Sequence, residues 1–548
     1  AGSGTGVDFY VITADGAAPS ALTGIVRQFR KLIGQSYIPP RWAFGFQQSR
    51  WGYRTEKDVR EVVRKFRDAG IPLDAVCLDI DYMQDYEDFT VDETKFPDMK
   101  QLAEDLKAEG VHLVPIIDAG VKVQKGYSVY EEGTEHNYFC AKKDGSAYTA
   151  GVWPGRSHFP DFLNPDVRSW FGAKYGNLTS LGIEGFWNDM NEPAMFYSEE
   201  SLAETFRKIK TFEGKNLDIN SFFEFTSLAG STFNRPDDYE RFYDRAQMKD
   251  GSTALLRHDY VHNIYGAHMT RAAGEGLRKL SPDKRMLLYS RASCIGAHRY
   301  GGIWTGDNTS WWGHLKQEVQ MMSALNMCGF LYCGADIGGF GADTSRDLVL
   351  RWTEFGVFTP LMRNHSAWNT RRQEFYQYDH IEDFRSVMNL RYALIPFIYS
   401  EFVKSALTGS MYFRPLSFDY QSDERARRVE DELLLGESLL IAPVYEQNAV
   451  GRYVYLPEDM IQVTWADGKA VQQNVVRGDH YVNVPLNAVV FFVKHGRLVP
   501  LCAPALSSDK LDTTNFTFLG DGESYDLYED DGYTRDVKLG GNIRKLTK

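Results

Sequence analysis

The chain has 548 residues, a formal net charge of −13 at pH 7 and a pI near 5.5. This length exceeds what one hydrophobic core supports, so we expect two or three domains. The acidic balance argues against a nucleic-acid partner, and no run approaches the roughly 18 apolar residues that indicate a membrane span. The six cysteines are scattered and lie mostly in apolar runs, which favours reduced thiols and a cytoplasmic protein.

Short apolar runs alternate with amphipathic stretches over residues 41–400. Residues 55–69 place three valines and a phenylalanine on one helical face, and residues 97–109 have a similar apolar face. We predict eight strands, at residues 42–47, 75–80, 113–117, 185–189, 286–290, 302–305, 329–333 and 358–362. Eight strands with intervening helices indicate an α/β fold, a (β/α)8 TIM barrel, whose chemistry lies at the carboxyl ends of the strands.

The regions around this barrel differ in character. Residues 1–40 are interpreted as a lead-in with the remnant of an N-terminal β-domain, whose last strand is at residues 7–12. Residues 194–282 exceed a plain crossover and are predicted to form an excursion beside the barrel mouth. Alternating runs and Gly-Asp turns predict a proximal β-sandwich at 401–500 and part of a distal one at 501–548.

Two of the predicted strands end in tryptophan and then aspartate. Asp189 closes the fourth strand shortly after Trp187, and Asp307 follows Trp304 just beyond the sixth. Charge at the end of a buried strand is costly unless a partner or ligand uses it. One such aspartate can equally cap the next helix. Two on one face of a barrel suit the carboxylate pair that cleaves glycosidic bonds.

Charged side chains also follow several other predicted strands. They are Asp79, Asp81, Asp118, Arg291, Asp336, Arg363 and His365. Any one of them alone is expected to form a structural ion pair or a cap. Charge at so many strand ends on one face favours a deep polar pocket for a polyhydroxylated ligand.

Other classes of hydrolase lack their motifs in this chain. Neither His-Glu-x-x-His nor Gly-x-Ser-x-Gly occurs, so a zinc or serine hydrolase is not favoured. A non-catalytic carbohydrate-binding protein stays open, and release of glucose from p-nitrophenyl α-glucoside separates it from an enzyme. We predict small α-gluco-oligosaccharides as ligands, with no metal and no cofactor, no nucleic acid and no membrane, and leave a homodimer open.

The runs Trp187-Asn188-Asp189-Met190-Asn191-Glu192-Pro193 and Gly302-Ile303-Trp304-Thr305-Gly306-Asp307-Asn308 resemble the two catalytic motifs of glycoside hydrolase family 31. The resemblance covers the barrel and the following sandwich, nearly the whole chain. It implies a retaining α-glucosidase in which Asp189 is the nucleophile, Asp307 the general acid/base and Glu192 the support of the nucleophile's loop. Members of the family usually begin with an N-terminal β-sandwich, most of which this sequence lacks.

The resemblance also implies a set of residues around the bound sugar. They are Trp51, Asp79, Ile80, Ile116, Trp153, Trp187, Met190, Arg291, Trp304, Asp336, Phe340 and His365. By the same resemblance Asp79, Arg291 and His365 bind the sugar hydroxyls, and the aromatic residues form the floor and rim of the pocket.

Two positions narrow the substrate that the resemblance implies. The strand end around Asp79 is similar to that of glucosidases in the family rather than xylosidases. Trp51 lies where a tryptophan accompanies isomaltose-type α-1,6 substrates and a tyrosine accompanies maltose-type α-1,4 substrates, although it can equally just pack the rim. We expect an exo-α-glucosidase that favours α-1,6 linkages, with an α-transglucosidase or another α-glycosidase of the family as alternatives.

Overall fold

Eight parallel strands form a closed barrel in the computed structural model, which describes residues 9–14, 20–248 and 250–548. The strands are β1 (Phe46–Arg50), β2 (Ala75–Leu78), β3 (His112–Ile117), β4 (Gly185–Asn188), β5 (Leu287–Ser290), β6 (Gly302–Trp304), β7 (in two pieces, Cys333–Gly334 and Asp336–Ile337) and β8 (Met362–Asn364). The first piece of β7 pairs with β6 and the second with β8, which in turn pairs with β1 and closes the ring. The predicted (β/α)8 TIM barrel is confirmed.

Helices cover the outside of the barrel. Those that follow barrel strands are Glu56–Asp68, Met99–Ala108, Pro165–Lys174, His258–Leu280, Trp312–Met327, Arg346–Gly356 and Ile381–Thr408, and Ala21–Ile33 precedes β1. The helix after β1 begins at a reciprocal capping box between Thr55 and Asp58. Its three valines and Phe66 are buried, so the predicted apolar face is the one that packs on the barrel.

The first predicted strand, at residues 42–47, begins too early. Arg41–Phe44 forms a 3₁₀ turn, and β1 starts at Phe46. Trp42 stacks on the His112 ring at 4.0 Å, and the Phe44 ring meets Phe402 edge-on at 5.0 Å. A buried apolar turn has the same composition as a buried strand, so hydrophobic pattern alone does not separate the two.

The last two predicted strands are also displaced, and for the same reason. Residues 329–332 and 358–361 form turns and irregular backbone, and the observed strands start at Cys333 and Met362. Leu331 and Leu361 are fully buried, so these apolar residues belong to the core without belonging to the sheet. The other five predicted strands overlap the observed ones closely.

The long stretch after β4 contains an inserted segment, residues 194–257, and then a barrel helix. The segment holds the helices Glu199–Lys210, Ile219–Gly230 and Pro236–Tyr239 and the hairpin Tyr243–Gln247 with Thr253–Arg257. The helix His258–Leu280 then packs against Pro165–Lys174. Gly172 and Gly276 allow the close approach, because a Cβ atom on Gly276 would collide with the Gly172 backbone and one on Gly172 with the Ala272 carbonyl. The C-terminal end of the segment therefore continues directly into a closely packed barrel helix.

A small antiparallel sheet lies beside the inserted segment. Its strands are Val121–Lys122, Gly155–His158, Ala150–Val152 and Tyr197–Ser198, in that spatial order. The last of these strands belongs to the inserted segment, and the other three belong to the connection between β3 and β4. This sheet therefore joins two loops on the side of the barrel where the strands end.

Antiparallel sheets follow the barrel. Six strands form the larger sheet, with the order Phe413–Pro415, Leu433–Leu435, Leu439–Ile441, Ala488–Lys494, Met460–Ala466 and Lys469–Val475. Three two-stranded ladders pair Gly451–Leu456 with Gly478–Asn483, Leu498–Ala503 with Asp512–Gly520, and Ser524–Tyr528 with Ile543–Thr547. The predicted C-terminal β-structure is confirmed.

At the N-terminal end, the predicted strand at residues 7–12 is not found where it can be tested. Residues 9–12 have no regular secondary structure, and Val7 and Asp8 lie outside the described residues. All six cysteines are free thiols. Within the described ranges, no helix combines the length and the apolar character needed to cross a membrane.

Candidate active site

Asp189 directly follows β4 and is fixed by three contacts. Its backbone N–H donates to the Ile117 carbonyl at 3.0 Å, which extends the pairing of β4 with β3. Its Oδ1 accepts a hydrogen bond from the Met190 N–H at 2.7 Å and lies 2.9 Å from Nη1 of Arg291. Met190 has a left-handed φ of 52°, so the chain turns sharply after the carboxylate. Asp189 is buried and its position is tightly defined.

Arg291 follows β5 and contacts three carboxylates. Its Nε and Nη2 donate to the two oxygens of Glu192 at 2.9 and 3.0 Å. Its Nη1 lies 2.9 Å from Asp189 Oδ1 and 3.7 Å from Asp307 Oδ2. Since these two oxygens share one nitrogen neighbour, Asp189 Oδ1 and Asp307 Oδ2 cannot be farther apart than the sum of the two distances. That limit accommodates the separation of about 5–5.5 Å found in retaining glycosidases.

Asp307 lies three residues beyond the end of β6, after Gly306 with a φ of 81°. Its side chain is 48% exposed, against 12% for that of Asp189. The adjacent Asn308 holds the loop, because its Nδ2 donates to the Asp336 carbonyl at 3.1 Å and its Oδ1 accepts from the Phe340 N–H at 3.0 Å. The loop is thus anchored while the Asp307 carboxylate remains open to solvent.

The floor of the pocket is a buried ion pair among indole rings. Arg363 Nη2 donates to Asp336 Oδ1 at 2.6 Å, and both side chains are fully buried. The Arg363 guanidinium lies 4.7 Å from the centre of the Trp187 ring and 5.0 Å from that of Trp304. These cation–π contacts offset part of the cost of burying the charge.

Asp79 and His365 form one wall of the pocket. Asp79 follows β2, and its Oδ1 accepts from the Ile80 N–H at 2.8 Å. Its Oδ2 lies 3.6 Å from Nε2 of His365. The His365 ring stacks on Phe340 at 4.9 Å and meets Trp187 edge-on at 5.5 Å. The wall is therefore continuous with the indole floor.

The remaining predicted residues join the same cluster. Ile116 pairs with Trp187 across β3 and β4. The Ile116 carbonyl accepts a hydrogen bond from the Tyr82 hydroxyl at 2.9 Å. Tyr82 lies in the same 3₁₀ turn as the buried Ile80. The Met190 sulfur lies 3.3 Å from Arg291 Nη2. Trp51 meets Trp153 edge-on at 5.1 Å, and both are half-buried at the rim.

Burial controls the protonation of this carboxylate group. It raises the pKa of Asp189 to about 6, a shift that Arg291 opposes and Asp307 and Glu192 reinforce. Burial likewise raises the pKa of Asp79 to about 8 and that of Asp336 to about 7. Partial desolvation raises the pKa of the half-exposed Asp307, and Arg291 opposes this shift. Burial lowers the pKa of His365 well below its usual range. The site thus holds carboxyl groups that differ in protonation near neutral pH.

The sequence does not assign four neighbouring residues to the sugar site: Arg363, Asn308, Asp118 and Asp88. It indicates Arg363 and Asp118 only as charges at strand ends, and Asn308 only as a neighbour of Asp307. The Asp118 N–H donates to Asp88 Oδ1 at 2.8 Å, and burial raises the pKa of both carboxyl groups well above the usual range. The predicted strand at residues 358–362 ends before Arg363, whereas the observed strand β8 includes it, so the sequence pattern does not place this side chain inside the barrel.

Comparison with known families agrees with this geometry. The family description "Glycosyl hydrolases family 31 TIM-barrel domain" matches residues 36–401, and "Glycosyl hydrolase family 31 C-terminal domain" matches residues 409–499. The chain belongs to glycosyl hydrolase family 31. The sequence resemblance to this family is thereby confirmed.

Several family 31 proteins are similar to this chain over most of its length. Alpha-glucosidase 2 of Bacillus thermoamyloliquefaciens is 36% identical over 99% of the chain and 63% of its own length. Human neutral alpha-glucosidase AB is 33% identical over 88% of the chain and 47% of its own length. The chain therefore spans less than two thirds of the length of these relatives.

Solved structures of family 31 proteins share the fold. A glucosidase II alpha subunit with bound Glc1Man2 superposes with a TM-score of 0.80 at 26% identity, covering 97% of this chain and 54% of its own. A Flavobacterium johnsoniae family 31 dextranase complexed with glucose gives a TM-score of 0.77 at 26% identity, covering 94% of this chain and 60% of its own.

Proposed function

We propose that this protein is an exo-acting, retaining α-glucosidase that removes the terminal non-reducing glucose of small α-gluco-oligosaccharides. The proposal rests on one observation: the carboxylates of Asp189 and Asp307 both lie close to the same nitrogen, Nη1 of Arg291. Relatives named alpha-glucosidases, at 36% and 33% identity, support the substrate class. We also propose that the protein is cytoplasmic and acts without a metal or cofactor.

In the first step, an Asp189 oxygen attacks the anomeric carbon while Asp307 donates its proton to the departing glycosidic oxygen. The bond from that carbon to the leaving oxygen breaks as the glucosyl–Asp189 ester forms. Asp189 suits the nucleophile because its pKa of about 6 leaves it mostly ionised at neutral pH. Asp307 suits the acid because its half-exposed carboxyl group can reach the leaving oxygen, and its partial desolvation raises its pKa although Arg291 opposes the shift.

In the second step, water attacks the same carbon and gives a proton to Asp307, and the ester bond to Asp189 breaks. Both residues return to their starting states. Glu192 positions this pair indirectly, since it binds two nitrogens of Arg291 while the third contacts Asp189. Arg291 therefore stays oriented while charge moves between the carboxylates.

The pocket wall and floor provide the groups that hold a sugar ring. Asp336 Oδ2, Trp304 Nε1 and His365 Nδ1 are buried and have no hydrogen-bond partner among the described residues. Because these three atoms are closed off from the pocket, the groups that we propose to bind sugar hydroxyls are Arg291 and Asp79, whose side chains are 18% and 10% exposed. The raised pKa of Asp79 falls when sugar hydroxyls donate to its carboxylate.

We further propose a preference for α-1,6 linkages, which rests on Trp51 at the rim. The similar fold of a family 31 dextranase is compatible with this preference. The test compares kcat/KM on isomaltose and on maltose for the wild-type protein and for Trp51→Tyr. We expect the ratio of isomaltose to maltose activity to fall in the variant, and an unchanged ratio would reject Trp51 as the determinant.

The mechanism is tested by following the anomers of released glucose with proton NMR. A retaining enzyme releases α-glucose first, and β-glucose as the first product would overturn the proposed nucleophile. No glucose release from p-nitrophenyl α-glucoside would favour a non-catalytic carbohydrate-binding protein. Glucosyl transfer products at high substrate concentration would identify a transglucosidase, which uses the same two carboxylates.

A further inference from the structure

A cavity of about 530 Å³ lies at the amino-terminal ends of β5 and β6. Arg285 and Met286, directly before β5, and Tyr300, two residues before β6, line it. Asp189 and Asp307 come after their strands, so the body of the barrel separates them from this cavity. We call this space the basic cavity, because its lining also includes Arg278, Arg299 and Arg535.

Three arginines of the basic cavity have no acidic partner. Among the described residues, no carboxylate oxygen lies within 4.0 Å of a side-chain nitrogen of Arg278, Arg299 or Arg535. The one acidic residue of the lining, Asp536, forms an ion pair with Lys538. The chain as a whole has a net charge of −13, so this local excess of cations does not follow from its composition.

Arg278 and Arg299 are held side by side against one aromatic ring. Their guanidinium groups lie 5.4 and 5.8 Å from the centre of the Tyr300 ring, and cation–π attraction favours both positions. Nη2 of Arg278 also donates to the Arg299 carbonyl at 2.9 Å. Gly34 makes room for the second arginine, because a Cβ atom there would lie 3.1 Å from Arg299 Cδ. Two like charges are therefore kept close together.

Arg535 is fixed at the same cavity by backbone contacts. Its Nε and Nη2 donate to three carbonyls of residues 281–284, at 2.6 to 2.8 Å. Its Nη1 has no hydrogen bond to any residue that the structure describes. Burial lowers the pKa of Arg535, and the charge of Arg278 lowers it further, which Asp283 offsets only in part. The two cations thus disfavour each other, and a bound anion would relieve that repulsion.

The size and lining of the basic cavity indicate more than a site for a lone ion. Pockets for small molecules have volumes of roughly 300–1,000 Å³, and this cavity lies within that range. Leu277, Leu288 and Val537 add apolar surface to the lining, and Gln35 adds an amide. Guanidinium groups bind phosphate oxygens in pairs. The lining therefore suits a ligand that joins a phosphate to a small organic body.

We propose that the basic cavity binds a small organic phosphate, with the bulk of a hexose phosphate, through Arg278, Arg299 and Nη1 of Arg535. This site is separate from the sugar pocket, and the inference does not rest on the proposed glucosidase activity. Strand β5 connects the two places, since Met286 precedes it in the basic cavity and Arg291 follows it beside Asp189.

Calorimetric titration of the protein with glucose 6-phosphate tests this site, with excess glucose present to occupy the sugar pocket. We expect tighter binding than for inorganic phosphate, because the sugar adds contacts with the apolar lining. Arg278→Ala and Arg299→Ala should each raise the Kd by roughly tenfold or more, the size of a charge-assisted hydrogen bond. Both side chains are exposed, so both variants should keep the wild-type melting temperature without ligand.

A matched arginine variant makes the test specific. Arg427 is 55% exposed and lies outside the basic cavity, so Arg427→Ala should bind glucose 6-phosphate with the wild-type Kd. Absence of glucose 6-phosphate binding, or a wild-type Kd in both cavity variants, would overturn the inference. A Kd raised equally in Arg427→Ala would show attraction to overall charge rather than a site. Equal affinity for inorganic phosphate would refute the organic part of the ligand.

Discussion

Strands β4 and β6 are each followed by an aspartate, and the two aspartates differ in how deeply they are buried. Asp189 follows its strand at once, and its side chain is 12% exposed and 2.9 Å from Arg291. Asp307 lies beyond Gly306, and its side chain is 48% exposed and 3.7 Å from the same nitrogen. One carboxylate is buried and hydrogen-bonded, whereas the other is half exposed to solvent.

This difference matches the tasks that the proposed double displacement would give to the two groups. The nucleophile attacks one carbon along one line, so a fixed carboxylate loses nothing and gains from preorganisation. The acid/base must reach the leaving oxygen in one step and a water in the next, so it benefits from solvent access. The predictions below test this division, from the largest expected effect to the smallest.

Replacing the fixed carboxylate should be the more severe change. Asp189→Asn should lower kcat by at least about 10⁴-fold on every substrate, because no other group can form the ester. Steady-state kinetics on isomaltose and p-nitrophenyl α-glucoside measure this loss. Near-normal turnover on either substrate would remove Asp189 from the role of nucleophile.

Replacing the exposed carboxylate should give a loss that depends on the leaving group. Asp307→Asn should lose about 10²–10⁴-fold on isomaltose, whose leaving oxygen needs a proton. The decrease in the rate of the first step should be much smaller with p-nitrophenyl α-glucoside, since nitrophenolate can depart without being protonated. Equal losses on both substrates in the pre-steady state would contradict the assignment of Asp307 as the acid.

The acidic limb of the pH profile of kcat/KM should reflect the titration of Asp189. Asp189 acts as a carboxylate and its pKa is about 6, so kcat/KM should fall about tenfold per unit as the pH drops below that value. Glu192 contributes to the raised pKa of Asp189. Glu192→Gln should therefore move the acidic limb to lower pH, and an unmoved or raised limb would contradict the coupling.

The backbone conformation of Gly306, which precedes Asp307, should affect kcat/KM by setting the position of the Asp307 carboxylate. Gly306 has a φ of 81°, and a Cβ there would lie 3.7 Å from Arg291 Cδ, an ordinary contact. Gly306→Ala should strain the turn by about 1–2 kcal/mol and lower kcat/KM by roughly tenfold, with little change in melting temperature. Unchanged kinetics would show that the position of Asp307 does not depend on this turn.

The sequence predicts the candidate catalytic residues better than it predicts the strand boundaries and the hydrogen bonds that hold those residues in place. Asp189 and Asp307 stand out because an acid after an apolar strand is unusual, and five of the eight strands were close to their observed bounds. The turn Arg41–Phe44 and residues 329–332 were mistaken for strand because burial, not sheet pairing, makes them apolar. The hydrogen bonds of Asn308 join loops that are distant in the sequence, so no local pattern contains them.

Arg291 also limits how the protein can adapt to a new working pH. Its guanidinium contacts Asp189, Asp307 and Glu192 at once. A substitution that alters this cation should shift the titration of both proposed catalytic carboxylates, and should therefore move both limbs of the activity profile together. Selection for acid or alkaline tolerance should consequently leave position 291 unchanged and act on residues that contact only one of the two carboxylates.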